Sequence, residues 1–92
     1  MIDFEWDPGK ATANESKHGI SFVEALTVFA DPLSLTILDP DHTGSEDRFL
    51  LLGESALGTL IVVSHTERNG TPRVISARRA DRKERLQDES KH

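Results

Sequence analysis

The side chains best suited to chemistry lie in the last third of this 92-residue chain. They are an imidazole, a carboxylate and three guanidiniums, from His65, Glu67, Arg73, Arg78 and Arg79. Cleaving an RNA backbone without a metal needs a base for the 2′-hydroxyl proton and cations for the charge that builds on the phosphorane, and an acid can protonate the leaving 5′-oxygen. An imidazole, with an ordinary pKa of about 6.5, can act as base or acid, and guanidiniums offer forked donors to phosphate oxygens. We therefore predict a metal-independent ribonuclease site in which His65, Glu67 and Arg79 are catalytic.

Several further cations are placed to bind the same polyanion. The predicted RNA-binding residues are Arg48, Arg73, Arg78, Lys17 and His18. Each group also has a structural interpretation. His65 could be an ordinary strand histidine, and Lys17 with His18 could stabilise the C-terminus of a helix, where cations favour the dipole.

The charge of the chain is unevenly distributed along its length. The net charge is −5, with ten acidic and two basic residues in positions 1–47 but six acidic and nine basic residues in positions 48–92. A basic face on an acidic protein suits either a polyanion or an acidic protein partner. The alternative is a solvated helix whose charges pair three and four residues apart. Because the first half is acidic, any RNA-binding surface is predicted to be a localised patch, with low nonspecific affinity.

Length and composition restrict the class of protein. Ninety-two residues predict one domain, spanning positions 1–92. The chain has no cysteine, no apolar run near the ~20 residues of a membrane span and no secretion signal, so we expect a cytoplasmic protein. It also lacks a phosphate-binding loop, a glycine-rich dinucleotide turn and a serine elbow. We predict no cofactor and no metal.

Hydrophobic periodicity and turn residues predict an α+β domain. A strand over Ile2–Trp6 precedes two helices, the first opened by Asp7-Pro8 and the second by a Ser21–Glu24 capping box. A strand meander follows, and a charged helix begins at Asp81. The predicted strands of the meander cover 33–38, 48–53, 59–67 and 72–77. The prediction is an antiparallel sheet with two N-terminal helices and one C-terminal helix.

The turn at Asn69-Gly70 predicts which side chains meet, because a two-residue loop fixes the register of a hairpin. It pairs Thr66 with Arg73, His65 with Val74 and Ser64 with Ile75. His65 and Glu67 would then share a face with Val74, Ser76 and Arg78. Arg48 would join His65 if Glu54 faces Thr59, whereas a slip of one residue would move Arg48 to the other face.

The segment around His42 is the other place where a site could form. His42 lies among Asp39, Asp41, Glu46 and Asp47. Such a cluster could suggest a metal loop, but it lacks a recognised ligand spacing. We interpret it as a flexible acidic loop.

Nearly the whole chain resembles the BrnT family of bacterial toxins. The resemblance is carried, in order and spacing, by Phe4-Glu5-Trp6-Asp7-Pro8, Lys17-His18-Gly19-Ile20-Ser21-Phe22, Ala25, Val28-Phe29-Ala30-Asp31-Pro32, Arg48-Phe49, Gly53, Val63-Ser64-His65-Thr66-Glu67 and Ile75-Ser76-Ala77-Arg78-Arg79-Ala80. It implies a RelE-like ribonuclease, the toxin of a type II toxin–antitoxin system, which slows translation by cutting RNA. It also implies a BrnA-like antitoxin with a ribbon-helix-helix region, through which the complex would contact operator DNA.

Two other functions remain open at this stage. The basic hairpin and last helix could form a non-catalytic docking face for a partner segment. The chain could also be a degenerate toxin that binds its antitoxin and no longer cuts RNA. RNA cleavage in the absence of a partner distinguishes the ribonuclease from both.

Overall fold

The computed structural model describes residues 4–42, 44 and 46–89. The elements, in chain order, are β1 (Glu5–Trp6), α1 (Pro8–His18), α2 (Phe22–Val28), β2 (Leu35–Leu38), β3 (Phe49–Glu54), β4 (Leu60–Arg68), β5 (Thr71–Arg79) and α3 (Arg82–Glu89). The predicted α+β class and the order of helices and strands are confirmed. Ile2 and Asp3 of the predicted first strand lie outside the described residues. None of the described helices is long and apolar enough to cross a membrane.

One sheet of five strands in the order β1-β5-β4-β3-β2 organises the molecule. The pairs from β2 to β5 are antiparallel, as predicted for a meander. β1 pairs parallel with β5, with Glu5 beside Arg73 and Trp6 beside Val74, so the sheet is mixed instead of antiparallel throughout. The parallel edge arises because α1 and α2 carry the chain away from β1 before the meander begins.

The helix boundaries follow the predicted caps. Asp7 Oδ1 accepts a hydrogen bond from the Gly9 amide at 3.0 Å, and Gly19 closes α1 in the left-handed conformation at φ 72°. Ser21 Oγ accepts from the Glu24 amide at 3.0 Å, which forms one half of the predicted capping box. The Glu24 carboxylate accepts from Ser55 Oγ at 2.7 Å, so this side chain ties α2 to the β3–β4 turn.

The sheet has two unlike faces. The core face packs on α2 and holds the main apolar cluster, which is Ile20, Phe22, Ala25, Val28, Leu51, Ile61, Val63, Val74 and Ala77. The opposite face, called here the distal face, carries a smaller cluster of Leu52, Val62 and Ala80 on the side where α3 lies. The other end of the distal face is therefore available for polar side chains.

A β-bulge changes the predicted hairpin register. Asn69 and Gly70 both have positive φ, at 53° and 80°, and the pairing of His65 with Val74 is confirmed. Ser64 then pairs with Ser76 instead of Ile75. The extra residue reverses which face each later side chain occupies. The prediction that Ser76 and Arg78 share the face of His65 is therefore wrong: Ala77 and not Arg78 faces the core.

Asn14 fastens α1 to the outer edge of β5. Its Oδ1 accepts from the Ala77 amide at 3.0 Å, and its Nδ2 donates to the carbonyl oxygens of Ala77 at 2.8 Å and Ile20 at 3.0 Å. The buried side chain thus acts as a strand neighbour beyond the end of β1. This contact fixes where the side chains of α1 lie relative to β5.

Candidate nucleic-acid interface

A cavity of about 280 Å³ lies at the end of the distal face away from α3. We call it the arginine cavity. Its lining residues come from α1, from the loop before β3, and from β4 and β5: Lys10, His42, Gly44, Glu46, Arg48, Thr66, Arg68, Arg73 and Ile75. Four cationic side chains in one concavity favour an anionic ligand.

Arg48, Thr66 and Arg73 form a row across three strands. Thr66 pairs directly with Arg73, and the pairing of Phe49 with His65 puts Arg48 beside Thr66. The alternative slip considered for Arg48 is the one observed, since Glu54 faces Leu60. Arg48 Nε and Thr66 Oγ1 are buried and have no hydrogen-bond partner among the described residues. Buried donors without a partner are costly, so a ligand that accepts hydrogen bonds here would be bound favourably.

The acidic loop supplies an imidazole and a carboxylate to this cavity. His42 Nε2 lies 2.9 Å from the Glu46 carbonyl oxygen, and a carbonyl can only accept, so Nε2 carries the proton. In the neutral ring Nδ1 is then left as an acceptor. The ring lies over Gly44, where a Cβ would come within 2.7 Å of His42 Nε2. The Glu46 carboxylate accepts from Arg68 Nε at 3.1 Å.

Sequence reasoning interpreted this loop as flexible and acidic and missed its place in the site. Besides Arg48, its arginine neighbours in the cavity are Arg68 of β4 and Arg73 of β5, more than twenty positions further along the chain, so local composition could not reveal them. The available signal was the spacing of His42 and Glu46 directly before Arg48, the first base of the basic half.

A second cavity of about 230 Å³ adjoins the first along α1. We call it the α1 cavity. It is lined by Lys10, Ala13, Asn14, Lys17, His18, Ile75 and Ser76, and it shares Lys10 and Ile75 with the arginine cavity. Of the predicted RNA-binding residues, Arg48 and Arg73 thus lie together in one cavity, and Lys17 and His18 lie in the adjoining one.

His65 lies on the other side of the sheet. It is only 3% exposed, and its ring contacts Phe29 at a centroid distance of 5.0 Å and stacks on Phe49 at 5.5 Å. Burial lowers the pKa of the His65 imidazole below 6.5, and the Thr66 backbone and then the Glu67 carboxylate only partly oppose this shift. Neither ring nitrogen has a hydrogen-bond partner among the described residues. His65 is thus surrounded mainly by aromatic rings.

The other predicted site residues are dispersed. Arg79 pairs with Ile61, four residues from His65 along β4, which separates the two by roughly 13 Å. Glu67 is exposed near the hairpin turn. Arg78 lies on the distal face and donates to both carboxylate oxygens of Glu84, at 2.8 and 2.9 Å. The structure therefore does not bring His65, Glu67 and Arg79 into one site.

Two comparisons with known proteins give a match, one to a family model and one to a solved structure. Residues 6–84 match the family model described as the ribonuclease toxin BrnT of type II toxin–antitoxin systems. The fold matches the 1.1 Å crystal structure of the Brucella abortus ribonuclease toxin BrnT with a TM-score of 0.64 and 24% sequence identity, covering 89% of this chain and 100% of that one. A search of curated proteins finds no significant match. Because the family model spans most of the chain, this protein belongs to the BrnT family of ribonuclease toxins of type II toxin–antitoxin systems.

Proposed function

We propose that this protein is a metal-independent endoribonuclease that cuts RNA in the arginine cavity and so inhibits translation in the cytoplasm. A BrnA-like antitoxin with a ribbon-helix-helix region would neutralise it, and the complex would contact operator DNA through that partner. The observation that carries the proposal is the row of Arg48, Thr66 and Arg73, which lines a concavity and in which the buried Arg48 Nε and Thr66 Oγ1 have no partner among the described residues. A phosphodiester is the part of RNA that accepts hydrogen bonds from such a row.

We assign to the cavity a phosphoryl transfer in which phosphorus exchanges its bond to the 5′-oxygen for a bond to the 2′-oxygen. The 2′-hydroxyl attacks phosphorus while its proton passes to a base, the bond to the 5′-oxygen breaks, and that oxygen takes a proton from an acid. The products are a 2′,3′-cyclic phosphate and a 5′-hydroxyl. Arg48 and Arg73 stabilise the phosphorane, as oriented cations do for developing negative charge.

We assign both proton transfers to His42, which takes the 2′-hydroxyl proton and then, as the imidazolium, gives that proton to the leaving 5′-oxygen, while the Glu46 carbonyl oxygen orients its ring. With Nε2–H held by the Glu46 carbonyl oxygen, His42 Nδ1 is an acceptor oriented by the backbone. The Glu46 carboxylate lies against Arg68, a cation that also lines the cavity. The set predicted from sequence, His65, Glu67 and Arg79, stays the alternative catalytic assignment. We favour His42 because it shares a cavity with the arginines, whereas His65 is buried on the other face.

The test is cleavage of RNA by the purified, antitoxin-free protein in excess EDTA, with four variants alongside. His42→Ala and Arg48→Ala should each reduce the rate by about a hundredfold or more, since positioned acid–base and electrostatic groups contribute that much. His65→Phe and Arg79→Ala should cut RNA like the wild type.

Each alternative gives a different pattern in the same assay. Loss confined to His65→Phe and Arg79→Ala, in folded proteins, would move the active site to the set predicted from sequence. Cleavage that stops in EDTA and returns with a divalent cation would refute metal independence. No cleavage by the wild type would contradict a ribonuclease that acts alone and would favour ribosome-dependent cleavage or a docking module.

A further inference from the structure

We propose that the α1 cavity is a second phosphate subsite, which holds a neighbouring phosphate of the same RNA strand whose scissile phosphate lies in the arginine cavity. This inference rests on the proposed function, because it assumes that the arginine cavity binds RNA. It assigns a binding role to a part of α1 that the acid–base chemistry does not use.

The two cavities form one continuous surface. Lys10 and Ile75 line both, so a chain leaving the arginine cavity along α1 enters the α1 cavity directly. At the far end lie the cationic Lys17 and the half-buried His18. Among the described residues, the lining of the α1 cavity contains no carboxylate, although the chain as a whole has a net charge of −5. An anionic ligand therefore meets basic, neutral polar and apolar groups of the described residues there.

The residues of α1 in this cavity form a single helical stripe. They are Lys10, Ala13, Asn14, Lys17 and His18, which recur at the spacing of residues that share one face of a helix. Lys10, Ala13 and Lys17 are exposed, His18 is half-buried and Asn14 is buried against β5. The stripe therefore presents three basic side chains on the solvent side of the contact between α1 and β5.

The helix dipole explains the positions of only some of the basic residues in α1. Lys17 and His18 lie in the last turn of α1, where a cation is favourable. Lys10 lies in the first turn, where the dipole disfavours positive charge, and that turn has no acidic residue. An anion bound between the two ends would give Lys10 and Lys17 a common role.

The β-bulge in β5 places the Ser76 hydroxyl at the edge of the α1 cavity. Because Ile75 is the extra residue, Ser76 lies opposite Ser64 and lines the α1 cavity beside Asn14. Bulges often redirect a side chain next to a functional site. Ser76 can donate a hydrogen bond to a phosphate oxygen.

The paired concavities favour a single strand over a duplex. A duplex is a convex rod that cannot enter two adjoining concavities as closely as a flexible strand can. A single strand can bend into both cavities and keep its phosphates on the cations. The subsite thus favours a single-stranded RNA long enough to place one phosphate in each cavity.

The test measures binding, so that it does not depend on cleavage. A fluorescent 2′-O-methyl hexanucleotide, which cannot be cut because its 2′-oxygens are blocked, is titrated with the full-length protein by anisotropy at several salt concentrations. Lys17→Ala should weaken binding about tenfold, the effect of one lost charge-assisted contact. It should also reduce the slope of log affinity against log salt by about 0.7, which corresponds to one phosphate of a single strand.

Lys83→Ala is the matched control, because Lys83 is an exposed lysine of α3 that lines neither cavity. It should leave both affinity and slope unchanged, and a duplex of the same sequence should bind more weakly than the strand. Equal effects of the two lysine variants, an unchanged slope for Lys17→Ala, or equal binding of duplex and strand would overturn the inference. Failure of RNA cleavage with binding as expected would instead count against the proposed function alone.

Discussion

His65 and Thr66 are neighbours in the chain whose side chains lie on opposite faces of the sheet. His65 is 3% exposed and packs against aromatic rings on the core face, while Thr66 is 4% exposed and lines the arginine cavity on the distal face. Alternation along a strand produces this separation. The polar side chains of the hairpin therefore lie in two environments, the aromatic surroundings of His65 and the cationic arginine cavity.

Replacing His65 should leave RNA cleavage unchanged, whereas replacing Thr66 should slow it. His65→Phe should keep RNA cleavage and growth arrest, because an aromatic ring fits beside Phe29 and Phe49. Thr66→Val, which removes the hydroxyl at similar volume, should slow cleavage about tenfold. Both would be assayed for cleavage after a melting curve has shown that they fold. A folded but inactive His65→Phe protein would return the catalytic role to His65.

The pH dependence of stability should report the burial of His65. Burial lowers its pKa in the folded protein below the 6.5 of the unfolded chain. As the pH falls through 6.5, the unfolded chain binds a proton there before the folded protein does, so the free energy of unfolding decreases. The decrease ends once the pH is below the lowered pKa.

Urea unfolding of wild type and His65→Phe at a series of pH values between 8 and 4 measures this contribution. Carboxylates such as Glu84 affect both proteins alike and cancel in the difference. The variant should lack the loss of stability that begins near pH 6.5 in the wild type. Parallel curves for the two proteins would contradict a buried, neutral His65.

Gly53 marks the closest approach of β3 to the segment after α2. A Cβ at this position would lie 2.9 Å from Val28 Cγ1 and from Asp31 Oδ2 and 3.0 Å from Ser34 Cβ. Gly53→Ala should therefore lower the free energy of unfolding by about 1–3 kcal/mol, the usual cost of overpacking. Gly9→Ala is the control, since its Cβ would lie at ordinary contact distances from the Asp7 carboxylate, 3.6 Å from Oδ1 and 4.0 Å from Oδ2. If both variants have the same free energy of unfolding in urea, the segment that contacts Gly53 moves to accommodate the added Cβ without loss of stability.

Glu84 should be needed for α3 and not for RNA cleavage. Its carboxylate accepts both bonds from Arg78 and one from the Asp81 amide at 2.8 Å, and the bond from Arg78 is the main reason its pKa lies below 4.5. Glu84→Gln should lower stability by about 1 kcal/mol, allowing for the partial exposure of the pair. Helical circular dichroism should fall while cleavage stays unchanged. A matching loss of cleavage would mean that α3 contributes to the active site.

Local signals in the sequence predicted the elements and part of the hairpin. Asp7, Gly19 and Ser21 each act through neighbours within a few positions, and their helix boundaries were correct. Asn69-Gly70 fixed the pairing as far as His65 and Val74. The bulge at Ile75 has no such local signal, because no glycine or turn residue marks it. That one residue decided which face carries Arg78.

The candidate site was only partly predictable because its residues meet through tertiary structure. Arg48 and Arg73 were chosen for charge, and the sheet register later brought them together on either side of Thr66. The interpretation of His42 and Glu46 as part of a flexible acidic loop rests on the carboxylates around them. The local sequence does not show that His42 and Glu46 share a cavity with Arg68 and Arg73.

The contact between Asn14 and Ala77 also has a consequence for hydrogen exchange. The Ala77 amide donates to a helix side chain at 3.0 Å instead of to a strand, so its proton exchanges when α1 detaches, even while the sheet stays closed. Exchange at this one amide, relative to its neighbours in β5, therefore measures the attachment of α1 by itself. If RNA occupies the cavity along α1, the rate at Ala77 should fall while the rates of the core strands do not change.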